Sequence, residues 1–180
     1  FPFTSSTQRR YIQIHSDLPA MPMKITAIGF RITESSTVYT GSCSIDMELF
    51  MGVSQDWNAC SFLLDKIWLQ PKTQVVNRKI VVFGPGVGAV PGPSPFVPAL
   101  QIPLDTPYLR IPLGSLAWEI HVHSNATGSI GTIDAETCST TAGTVSKTGS
   151  GCTATGQASP MDHGAYAQDR AGTLLFILNA

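Results

Sequence analysis

Apolar and polar side chains alternate with a period of two along most of this chain. In residues 42–51, Cys43, Ile45, Met47, Leu49 and Met51 fall on one face and Asp46 and Glu48 on the other. A strand turns successive side chains to opposite faces, so this pattern describes one face in a core and one towards water. The same period runs through residues 11–15, 25–32, 62–69, 75–83, 100–104, 108–111, 116–122, 130–133 and 173–178. About ten short strands separated by turn-rich segments predict an all-β fold, a two-sheet β-sandwich of jelly-roll type. Helical periodicity is nearly missing; residues 159–170 have room for a turn or two. Residues 84–98 hold five prolines and four glycines. Proline donates nothing to a sheet ladder, so a loop or a sheet-edge excursion is expected there. No linker divides the chain. We read residues 1–180 as one domain, with an N-terminal extension at 1–7 and a Gly/Ser/Thr-rich loop at 137–158.

Composition narrows the function. Charged residues make up 13% of the chain, about half the usual ~25%; Ser and Thr carry the polarity instead. A net charge of −1 removes the electrostatic case for nucleic acid or an anionic membrane. Low charge also does little to hold copies apart. No apolar run approaches the ~18 residues that a membrane span needs. The chain opens on Phe1, not methionine, so we expect a cleaved signal peptide and an extracellular or cell-surface location. Cysteines oxidise in that compartment. Cys43, Cys60, Cys138 and Cys152 allow three connectivities. The sequence-local pairing, Cys43 with Cys60 and Cys138 with Cys152, is the expected one, because each partner is reachable across one hairpin or loop. Closing the 138–152 ring stabilises the fold by roughly 3 kcal/mol on chain-entropy grounds.

Three stretches carry a resemblance: Met23-Lys24-Ile25-Thr26-Ala27-Ile28-Gly29-Phe30-Arg31; Val81-Val82-Phe83-Gly84-Pro85-Gly86; and Ile102-Pro103-Leu104-Asp105-Thr106-Pro107-Tyr108 with Gly114-Ser115-Leu116-Ala117-Trp118-Glu119-Ile120. Over about residues 8–135 the chain resembles a group of secreted bacterial β-sandwich proteins of the exosortase-sorted, surface-directed type. The matched motifs are structural. The resemblance implies export and a β-sandwich, and carries no activity over.

Candidate chemistry is sparse. His121 and His123 flank Val122 and share a strand face with Glu119, a spacing at which imidazoles can share a metal. The opposite face, Leu116, Trp118, Ile120 and Val122, must be the core. The histidines and Glu119 are therefore expected on a solvated or interface face, where they need no metal. Asp46 and Glu48 pair on one face without a sign of the burial that acid–base chemistry requires. Calcium is a conceivable ligand of Asp105, Asp134 and Asp162, though no EF-hand spacing exists. No nucleophile elbow and no phosphate-cradling glycine loop is present, so no catalytic residue is assigned. Asn125-Ala126-Thr127 fits a glycosylation acceptor. Trp57, in a polar turn, is the candidate sugar-stacking residue. Phe1-Pro2-Phe3 forms an apolar hook ahead of the first strand. Phe1 and Phe3 are candidate anchors in a neighbouring copy, since an extended segment can complement another subunit's sheet and a head-to-tail contact builds a filament. The expected function is a non-enzymatic extracellular structural protein that self-assembles into a surface filament, sheath or tube. The alternative is a secreted carbohydrate- or surface-binding module.

Overall fold

A computed structural model describes residues 9–15, 18, 20–30, 42–56, 64–84, 100–127, 152–156, 164–168 and 173–178, with side chains for a subset of these. Nine strands are present among them: β1 (Arg9–His15), β2 (Met23–Phe30), β3 (Cys43–Ser54), β4 (Thr73–Phe83), β5 (Gln101–Arg110), β6 (Ser115–Thr127), β7 (Cys152–Gly156), β8 (Gly164–Gln168) and β9 (Thr173–Leu178). They form two antiparallel sheets, ordered β4-β3-β6-β1-β7-β8 and β5-β2-β9. The chain is all-β and sandwich-like. No helix among the described residues is long and apolar enough to cross a membrane.

The core lies between the sheets. Ile45, Met47, Leu49 and Met51 of β3 stand beside Leu116, Trp118, Ile120 and Val122 of β6, and meet Ile25 and Ile28 of β2 and Ile102 of β5. This is the alternation read from the sequence. It ends at Met51, because from there to Ser54 all four residues of β3 are buried and both faces are covered. Strand β4 departs from strict alternation for a different reason. Val75 and Val76 are both buried, and the register with β3 shifts between Met47 and Leu49 and again between Leu49 and Phe50. Asn77 and Arg78 together oppose Glu48, a β-bulge that re-aims the side chains of an edge strand.

Several expectations require correction. Of the strand expected at 62–69, residues 62 and 63 lie outside the described residues and the rest is not a strand: residues 64–66 form a short 3-10 helix, and Trp68 makes only an isolated bridge to Ser54. Residues 100–104 and 108–111 are not two strands but parts of one, β5, which runs through Pro103 and Pro107. Among the described strands β5 pairs only with β2, and a proline is tolerated where the strand has an open edge. Within 159–170, where there is room for a helical turn or two, the described residues 164–168 form β8 instead, and the expected loop at 137–158 contains β7. Residues 130–133 and 85–98 lie outside the described residues.

One polar pair sits inside the core. His15 on β1 faces Leu116 across the sheet and accepts a hydrogen bond from Trp118 Nε1 to its Nε2 at 2.9 Å. An indole N–H only donates, so Nε2 carries the lone pair and the ring is neutral. Burial, then the nearby Arg110 charge, lowers the His15 pKa from 6.5 to about 4. Between those values the unfolded chain binds a proton that the folded chain refuses. The contribution is therefore complete above pH 6.5 and lost as pH falls towards 4, at a cost of roughly 3 kcal/mol. Denaturant melts across this window are expected to show that slope. His15→Gln, which keeps an acceptor but no titration, is expected to flatten it; an unchanged slope would exclude His15 as its source.

Candidate functional site

The second face of the six-stranded sheet carries the densest chemistry. Register places Arg10, Ile12 and Ile14 of β1 opposite His121, Glu119 and Ala117 of β6. On the other side of β6, Glu48, Phe50 and Gly52 of β3 stand opposite the same three residues. This face is not left to water. The chain after β3 folds back across it, with backbone hydrogen bonds from Gln55 N to Ile67 O (2.9 Å) and Leu69 N to Val53 O (3.0 Å). Gly52 permits the crossing: a Cβ there would lie 3.0 Å from the Trp68 ring and 3.3 Å from Lys72 Cα. Ile12, Ile14 and Ile67 are fully buried as a result.

Glu119 sits under this cover with no exposed surface. Arg10 Nε donates to its Oε1 at 2.5 Å, and Lys72 Nζ donates to its Oε2 at 2.6 Å. His121 Nε2 lies 2.8 Å from Oε1. Arg10 continues to Asp65 on the crossing segment at 2.6 Å. The Lys72 ammonium also lies over the Phe50 ring, 4.5 Å from its centre, an attraction to the negative face of the ring. From His121 the network runs outward: Nδ1 is 3.2 Å from Glu48 Oε1, and His123 Nε2 is 3.1 Å from the same oxygen. Gln74 Nε2 donates to Glu48 Oε2 at 2.8 Å.

Burial alone would raise the Glu119 pKa. Hydrogen bonds from His121 and Arg10 and the Lys72 charge outweigh it and hold the pKa at about 2. Burial likewise works against the Arg10 charge, and its bonds to Glu119 and Asp65 more than restore it. A carboxylate this acidic, with both oxygens engaged, cannot serve as a general acid at neutral pH. Its chemistry is cohesion: it ties β6 to β1 and to the segment that covers them. Beside it, Asp65, Trp68, Leu69, Gln70, Pro71 and Lys72 line a shallow, open groove of about 440 Å³.

The expectation that Glu119 lies on a solvated or interface face is therefore overturned, because residues 64–72 roof that face. His121 and Glu119 do come together. His123 instead turns to Glu48, at a register shift between β3 and β6 where it is the extra residue. Among the described residues no three His, Cys, Asp or Glu side chains are arranged to hold a metal ion. Asp46, the partner of Glu48 in sequence, is held by Arg78 at 2.7 Å, and that hydrogen bond lowers its pKa. Asp105 bonds Lys79 across the two sheets and accepts the Asn77 backbone N–H at 2.8 Å. Asp134, Asp162, Trp57, Phe1, Phe3, Cys60 and Cys138 lie outside the described residues, as do the side chains of Asn125 and Cys152. No disulfide is found among the described residues; Cys43 is buried beside Phe83, and burial raises its thiol pKa.

Arg10, Asp65 and Lys72 escaped sequence reasoning. A signal existed for Arg10. It shares a face with Ile12 and Ile14, so a buried guanidinium needed a carboxylate, and Glu119 is the sole acid in β6. Comparison with protein-family models, with curated proteins and with solved structures finds no match.

Removing one partner of a buried pair leaves an uncompensated charge. Glu119→Gln is expected to cost about 3–5 kcal/mol in a denaturant titration. The triple variant Arg10→Met, Lys72→Met, Glu119→Leu is expected to recover most of that. If Glu119→Gln were neutral, the carboxylate would not be the tie described. Since the folded pKa is depressed, the Glu119 contribution is complete above pH 4.5 and fades only as pH falls to about 2.

Proposed function

We propose that this chain is a non-enzymatic extracellular structural protein whose copies assemble head-to-tail into a surface filament, sheath or tube. One observation carries the reading. The exposed large apolar side chains among the described residues fall into two groups: Met21, Leu69, Leu109, Ile111 and Leu113, and apart from them Ile80 and Val82. Register puts these groups at opposite ends of the body. The first surrounds the Met23–Arg110 and Ser54–Ser115 pairs; the second lies where Val82 faces Ser44. Two unlike sticky ends on one subunit favour a heterologous contact, which closes into a ring or runs on as a fibre. Low net charge adds little repulsion between copies.

Phe1 and Phe3 remain the proposed anchors. Arg9, where the described sheet begins, is level with Val122, Met47 and Lys79, towards the Ile80–Val82 end. A hook leaving that level is in reach of a neighbour seated there. The jelly-roll arrangement and the Cys43–Cys60 and Cys138–Cys152 disulfides belong to the same proposal. A second reading, a carbohydrate- or surface-binding module with glycans as partners, is favoured by the groove beside Trp68. No ion is required by either reading.

Electron microscopy and light scattering at micromolar protein are expected to show polymers. A uniform monomer that binds a glycan array would replace the first reading with the second. Deleting residues 1–7 is expected to leave a folded chain with impaired assembly. Alkylation of the denatured chain without reductant, followed by mass measurement, is expected to label no thiol; two labelled thiols would remove one disulfide.

A further inference from the structure

We propose that His121 is a proton-operated latch between Glu119 on its own strand and Glu48 on β3, closed when the ring carries two protons and open on the β3 side when it carries one. The two ring nitrogens face two different carboxylates. Nε2 is 2.8 Å from Glu119 Oε1, and Nδ1 is 3.2 Å from Glu48 Oε1. An ionised carboxylate only accepts, so each contact calls for an N–H. A neutral imidazole has one N–H and one lone pair; an imidazolium has two N–H groups. The observed arrangement is therefore that of the charged ring. Charge balance agrees, because Arg10, Lys72 and a charged His121 offset Glu119, Asp65 and Glu48.

The groups around the ring settle which side opens. Among the described residues these are Glu119 and His123 of β6, Glu48 of β3, Arg10 of β1 opposite in register, and Lys72 of the covering segment, 3.4 Å from Nε2. The Phe50 ring of β3 lies against the imidazole, with centroids 4.7 Å apart. Lys72 disfavours the second proton and the two carboxylates favour it. When that proton leaves, Nε2 keeps the remaining one, because its contact is the shorter and Glu119 is fully buried, with no water to turn to. Glu48 has a side chain 19% exposed and other donors, Gln74 Nε2 at 2.8 Å and His123 Nε2 at 3.1 Å. The Nδ1 lone pair then faces the Glu48 carboxylate, acceptor against acceptor, and that contact opens. Imidazoles change charge between about pH 5 and 8. Glu48 and His121 stand opposite each other in the β3–β6 register. The proton thus adjusts a tie between these two strands and leaves the bonds of Glu119 to Arg10 and Lys72 in place.

A double-mutant cycle in the full chain tests the latch. Glu48→Gln, His121→Ala and the double variant are unfolded with denaturant at about pH 5.5 and about pH 8, on either side of the ordinary imidazole midpoint. Coupling between the two positions is expected to be roughly fivefold in the folding equilibrium constant at the lower pH and absent at the higher. The cycle cancels what each substitution does alone, including loss of the Glu119 and His123 contacts. Ring-nitrogen NMR of the native chain is expected to show both nitrogens of His121 protonated at the lower pH and only Nε2 at the higher. Equal coupling at the two pH values overturns the latch. So does a neutral ring with its proton on Nδ1, or a ring that keeps both protons at the higher pH. If a variant fails to fold, the native spectra decide alone.

Discussion

A buried, ionised carboxylate organises this molecule. Glu119 has three partners, and they come from three places in the sequence: Arg10 from β1, Lys72 from the segment ahead of β4, and His121 from its own strand. Burying a charge is unfavourable unless its oxygens are filled. Here the cations are delivered only if β1 pairs with β6 in one register and only if residues 64–72 cross the sheet at Gly52. A slip of one residue would carry Arg10 to the other face. The network thus adds little net stability relative to an apolar filling, yet strongly penalises wrong arrangements. We regard specification of register as its role.

The consequence is a sheet buried on both sides in its middle. Sandwich sheets commonly keep one face wet. In this chain the wet part of the outer face is pushed to the margins, where Arg78, Ile80 and Val82 stand on β4. The margins are also where the two layers are latched, by Asp105 to Lys79 and to the Asn77 backbone. Hydrogen bonds from Lys79 and Asn77 lower the Asp105 pKa, so the latch holds well into the acid range. A body latched at its edge and pinned in its middle presents apolar surface only where its geometry leaves it.

Much of this was legible in the amino-acid sequence. The core faces of β3 and β6 follow from strict alternation, as do β1, β2 and β4 in outline. What was not legible depended on contacts distant along the chain. Residues 62–69 look strand-like because Leu64, Ile67, Trp68 and Leu69 are apolar, but Ile67 and Trp68 are apolar in order to roof β3 and β6. That same roof turns the face of Glu119 from wet to dry, which period alone cannot foresee. The bulges at Asn77 and Arg78 and at His123 shift register by one residue and have no signature in composition. The prolines of β5 read as breaks because a ladder donor is missing, and are accommodated because β5 has one side without a described neighbour.

Rigidity links the buried carboxylate to the proposed assembly. Heterologous contacts propagate only if each subunit repeats the same angle between its two sticky ends. The two exposed apolar groups lie along β3, β4 and β6, strands that Glu119, Glu48 and Asp46 cross-link through Lys72, His121, Gln74 and Arg78. A purely apolar filling would hold these strands together but tolerate repacking. Directional bonds to fixed oxygens do not. A polymer built from such a unit would inherit its regularity from a carboxylate buried inside each copy.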